Sequence, residues 1–134
     1  MNRLELRQLS EARIVEAKVL LDSGQYPGAY YLAGYAVECG LKACIIVQLK
    51  QSDDFPEKRF SEKCYTHNLE NLLGFAGLAA ERDADAELQA NWAVVKDWSE
   101  ESRYQMSGDA KAREIYSAIT DVDHGVLPWI KLHW

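Results

Sequence analysis

A few residues in this sequence carry usable chemistry and are poorly explained by packing. Arg103 and Tyr104 lie in the polar stretch SEESRYQMSG, residues 99–108, where no apolar periodicity calls for either. A guanidinium there suits bidentate bonding to phosphate, and a phenol suits stacking on a base. Lys111 and Arg113 follow at the start of a helical pattern, whose first amide groups also favour an anion. These four are the candidate ligand-binding residues. Glu100, Glu101 and Asp109 dilute the positive charge, and a structural pairing of Arg103 with Glu100 or with a carboxylate of another helix stands beside the binding reading. His67, next to Asn68 in the first turn of another helical pattern, can act as an acid or base if the fold brings it to Arg103. Arg103 and His67 are therefore the alternative catalytic pair; the structural reading of His67 is a hydrogen-bonding residue at a helix start. Glu38 and Lys42 stand four residues apart inside an apolar run, the spacing of an intrahelical salt bridge that orders packing, with a buried polar site as the alternative.

Other chemistry is excluded. The cysteines number three, Cys39, Cys44 and Cys64; the first two sit inside the apolar run, so the set reads as reduced thiols of a cytoplasmic protein. Cys64 and His67 have a ligand-like local spacing, but a zinc site wants four ligands and no second close pair exists, so no metal and no cofactor are expected. A net charge of -6 opposes a general grip on nucleic-acid backbone, which leaves only a local contact. The N-terminal MNRLELRQLSEARIVEAK alternates charged and apolar residues and lacks the apolar core of a signal peptide. Glu38 and Lys42 near the middle of the apolar run argue against a membrane span.

The elements that must position these residues are helical throughout. The run from Tyr26 to Lys50 is apolar all round a helical wheel and predicts a buried central helix. Ala29, Ala33, Ala36, Gly40 and Ala43 give it one face of small residues for close approach. Before it, Arg3 to Asp22 predicts an amphipathic helix ending at Ser23-Gly24, and the short link to Pro27 makes the two antiparallel. Arg13 falls within the apolar arc of that first helix, where it snorkels at the edge or pairs with Glu38. Residues 51–66 read as an exposed loop. A third helix is expected from a Thr66 cap, and a fourth from Asp83 with Leu88, Trp92, Val95 and Trp98 on one stripe. A fifth starts at Ser107 or Asp109, with Ala112, Ile115, Ile119, Val122, Val126 and Trp129 as a seam bent by Gly125 and Pro128. The expected architecture is a single domain over 1–134, an all-α, up-and-down bundle of four to five helices with a C-terminal helical extension. Trp98, Trp129 and Trp134 form a candidate interface, since aromatic residues enrich interface cores.

In this order the features resemble the HEPN domain family: Ala29-Tyr30-Tyr31-Leu32-Ala33, Ala36-Val37-Glu38 and Leu41-Lys42-Ala43 on the central helix, then His67-Asn68-Leu69 with Leu72-Leu73, then Arg103-Tyr104. The resemblance covers most of the chain, from about Ser10 to Trp129. It implies a bundle that dimerises and is associated with nucleotide binding or RNA cleavage. It also implies a toxin–antitoxin or defence setting, often with a nucleotidyltransferase partner. Ribonuclease members carry an Arg followed about four to six residues later by a His, the cation stabilising phosphorane charge while the imidazole moves a proton. This sequence departs from that pattern. No histidine follows Arg103 in Tyr104-Gln105-Met106-Ser107-Gly108-Asp109, and Arg59 precedes His67 by eight positions. The resemblance therefore implies a binding or regulatory module without the ribonuclease motif. A divergent metal-independent ribonuclease using Arg103 and His67, and a purely structural oligomerisation module, are the alternatives.

Overall fold

Residues 1–55 and 57–134 are described by a computed structural model, in which they form α-helices, one 3₁₀ turn and no strand. The architecture is the expected all-α bundle. Helix α1 (Arg3–Asp22) opens on a reciprocal cap: the Glu5 amide donates to Asn2 Oδ1 at 2.8 Å, and the Asn2 amide donates to Glu5 Oε2 at 3.0 Å. It closes at Gly24, whose φ of 75° is the left-handed conformation that favours glycine. Pro27 then starts α2 (Tyr26–Gln51), which returns along α1. α2 also packs on most of the elements that follow, so its mid-section is buried on every side; Val37 and Leu41 are wholly buried, each worth roughly 1.5–3 kcal/mol relative to exposure. By length and composition α2 could cross a membrane, but 61% of its most apolar window is buried inside the bundle.

After α2 come α3 (Lys58–Lys63), α4 (Leu69–Phe75), α5 (Ala79–Ala84) and α6 (Ala86–Val95). The 3₁₀ turn Glu100–Tyr104, α7 (Asp109–Thr120) and α8 (Val126–Lys131) complete the chain. Several local expectations need correction. The loop after α2 contains α3, which buries no residue and so leaves no periodic trace. Thr66 does not cap the next helix: its hydroxyl accepts from the Asn68 amide, and Asn68 caps α4 through the Asn71 amide at 2.9 Å, so His67 precedes the helix instead of lying in its first turn. Asp83 lies within α5, and Asp85 caps α6 by accepting from the Glu87 and Leu88 amides. Trp98 lies beyond the end of α6, and Val122 is exposed between α7 and α8 instead of joining the seam. Of the two readings of Arg13, the edge position holds: the half-exposed side chain pairs with Glu16 on its own helix and not with Glu38.

Two close approaches hold the bundle in register. Ser10 on α1 donates to the Ala36 carbonyl at 2.7 Å, and Ile130 of α8 lies against Gly40, where an added Cβ would come within 3.0 Å of it. Tighter still is Gly34, where a Cβ would sit 2.2 Å from the Trp98 ring, so the indole fills the notch that the missing side chain leaves. The tryptophans expected at an interface are largely engaged within the chain. Trp98 and Trp134 are buried, the latter under the Arg7 and Lys131 cations at 5.3 and 5.7 Å, while the half-buried Trp129 donates to Glu81.

Candidate functional site

Tyr31, Tyr35, Glu38 and Lys42 recur at four, three and four residues on α2, the spacing of one helical face. Along this stripe the Tyr31 and Tyr35 rings lie 6.0 Å apart, and Tyr31 stacks on Trp98 at 6.0 Å. Trp98, seated on Gly34, thereby anchors the start of the following 3₁₀ turn, which packs on α2. That turn carries Arg103 to the Tyr31 end of the stripe. Its guanidinium lies 4.9 Å from the Tyr104 ring centre, and contacts with the Tyr104 and Tyr31 phenols raise its pKa further. Both Arg103 and Tyr104 are exposed, and among the described residues Arg103 makes no ion pair. The pairing with Glu100 considered from the sequence is not made.

At the other end of the stripe, Glu38 is almost wholly buried and holds two cation-capable partners. His67 Nδ1 lies 2.8 Å from Glu38 Oε1, and Lys42 Nζ lies 3.4 Å from Oε2. Since an ionised carboxylate only accepts, His67 Nδ1 is the donor in this contact. The Glu38–Lys42 pair is thus present and enlarged by a histidine that sequence spacing did not connect to it. The His67 contact point is seven residues along α2 from Tyr31, about 10 Å of helix rise from the Arg103 end. Within the chain Arg103 and His67 therefore occupy opposite ends of one track.

The remaining ligand-binding candidates do not gather at Arg103. Lys111 lies 4.8 Å over the Tyr30 ring, in a depression it shares with Asp97 and Glu114. Burial, then those two carboxylates, push the Tyr30 phenol up, so the local potential there is not that of an anion site. Arg113 is taken up by Asp109 on its own helix. Positions 111 and 113 diverge by about 200° around α7, which explains why nearness in sequence did not become nearness in space. Among the described residues no group of three His, Cys, Asp or Glu side chains is placed to hold a metal.

Sequence reasoning missed Tyr35 as part of the track and Gly34 as its anchor. The stripe was readable in the spacing of Tyr31, Tyr35, Glu38 and Lys42; the notch was not, because its partner Trp98 is distant in sequence. Comparison with family models, with curated proteins and with solved structures finds no match to this chain.

Proposed function

We propose that this chain is a HEPN-like binding or regulatory module that recognises the phosphate of a nucleotide or RNA at Arg103 and Tyr104. The supporting observation is that Arg103 is exposed, lacks an ion pair among the described residues, and is held against Tyr104 and Tyr31. A guanidinium with no carboxylate partner can turn its fork to a pair of phosphate oxygens, and the exposed Tyr104 ring offers a stacking face for a base. The net charge of -6 limits the contact to this spot. On this reading the module is cytoplasmic and works as a homodimer or beside a nucleotidyltransferase partner, in a toxin–antitoxin or defence setting. It has no ribonuclease activity of its own, since His67, held by Glu38, lies at the far end of the track from Arg103.

The test is fluorescence anisotropy with a labelled short single-stranded RNA and with nucleotides at one fixed salt concentration, comparing the wild type with Arg103→Ala and Tyr104→Ala. Saturable binding weakened about 10- to 100-fold by Arg103→Ala is expected, the range for losing charged hydrogen bonds. A flat titration with folded protein overturns the reading and leaves a structural oligomerisation module. RNA cleavage in the presence of chelator, lost in both Arg103→Ala and His67→Ala, replaces it with a divergent ribonuclease.

A further inference from the structure

Beside the Glu38 end of the track, α1, α2 and the segment around α3 enclose a groove of about 300 Å³. Its apolar wall is made by Leu6 and Leu9 of α1 and by Ile45, Ile46 and Leu49 of α2. The volume is at the small end of the roughly 300–1,000 Å³ typical of small-molecule sites. At about 30 Å³ for each water-sized group, it takes about ten non-hydrogen atoms.

The polar groups decide what those atoms are. Glu38 is the carboxylate in the wall, but its side chain is only 3% exposed, and its two oxygens face His67 and Lys42. An occupant cannot reach it. Lys42 is different: its side chain is 23% exposed, and its ammonium has three donors with one carboxylate partner at a long 3.4 Å. The other polar side chains on the wall, Tyr35, Ser61 and Tyr65, are hydroxyl donors. Burial, followed by the neighbouring Cys39 and Glu38, pushes the Tyr35 phenol up, so it stays protonated. The groove therefore offers an apolar wall with donors and one cation at its polar edge, and its negative charge is sealed behind the helix packing.

We propose that this groove binds a small amphipathic acid, with a carboxylate on Lys42 and an apolar body of about seven carbons along α1 and α2. The site is separate from the Arg103 end of the track and does not depend on what binds there.

The probe is octanoate, which has ten non-hydrogen atoms, titrated into the intact protein by calorimetry and by amide chemical shifts. Octylamine and octanol share its eight-carbon length and end in an amine or a hydroxyl in place of the carboxylate. Saturable one-to-one binding is expected, with shifts centred on Cys39, Ile46 and Cys64. Octylamine and octanol should bind about tenfold or more weakly, the factor for one lost charged hydrogen bond. Lys42→Met should abolish the preference for the acid, and Arg103→Ala should leave octanoate affinity unchanged. Absence of saturable octanoate binding overturns the proposal, as does octylamine binding equally well or shifts scattered over the surface. If Lys42→Met fails to fold, the comparison of the three heads on the wild type decides alone.

Discussion

His67 Nδ1 and Glu38 Oε1 meet at 2.8 Å although 29 positions separate them in sequence, and this contact ties the entrance of α4 to the middle of α2. Glu38→Gln keeps the shape but removes the buried negative charge that Lys42 and His67 share, and its amide keeps both contacts only if it donates to His67 Nδ1 with the ring in its other tautomer. The expected cost is about 1–3 kcal/mol, seen as a lowered urea midpoint with an unchanged slope. His67→Ala should cost less, because Lys42 still faces the buried carboxylate. Equal midpoints for Glu38→Gln and wild type would show that the contact contributes nothing.

Gly34 and Gly74 make a matched pair of tests. An added methyl at Gly34 overlaps the Trp98 ring, whereas one at Gly74 meets nothing within 4 Å. Gly34→Ala should therefore destabilise by about 1–3 kcal/mol or more, as overpacked cores do. Gly74→Ala, inside α4, should stabilise by about 0.5–1 kcal/mol through the backbone entropy that glycine forfeits. Thermal melts of both variants read the two signs directly.

Acid should act on two depressed carboxyls. Burial pushes Glu70 up, but hydrogen bonds from Arg82 and Trp92 outweigh it and hold the group below its ordinary value of 4.5. The backbone amide of Leu88, then His124 and the Glu87 amide, hold Asp85 below its ordinary 3.8 against the opposing effect of desolvation. A depressed folded pKa contributes stability that is present above the unfolded value and lost as pH falls through the folded one. Stability should thus decline as pH drops below about 4.5, and Glu70→Gln should flatten the upper part of that decline. Melting temperatures between neutral pH and acid check it; identical acid limbs would refute the assignment to Glu70.

Thiol labelling should be ordered by burial. Burial pushes Cys44 up to about 12 and Cys39 up to about 11, so near neutral pH neither is a thiolate nor accessible. Cys64 is raised less and is half-buried. A neutral thiol reagent should modify Cys64 alone in native protein and all three cysteines in denaturant, resolved by peptide mass spectrometry. Native labelling of Cys44 would mean that the α2 core opens far more readily than its packing implies.

What the sequence made legible follows from the range of the forces involved. α1 and α2 were readable to within a residue or so because Ser23-Gly24 and Pro27 act on the chain beside them and the apolar pattern is long. Between residues 64 and 86 the local signals are degenerate: Thr66 and Asn68, or Asp83 and Asp85, are equally good caps two residues apart, and packing chooses between them. Arg103 and Tyr104 stood out because no periodicity explained them. The Trp98 seat on Gly34, the His67 contact with Glu38 and the dispersal of Lys111 and Arg113 are all set by helices meeting in space, which spacing along one chain does not encode.

The all-round burial of α2 also sets a schedule for synthesis. Cys44 donates through its thiol to the Ile130 carbonyl, 86 residues later in the chain. At the roughly 5–20 residues per second of translation, α2 waits about 4–17 s after it is made for the covering helix to appear. During that interval α1, joined in turn by α4 and the 3₁₀ turn, leaves the sides of the apolar rod that α7 and α8 will cover open to solvent. Nascent chains stalled before α7 should accordingly be the form most dependent on chaperones.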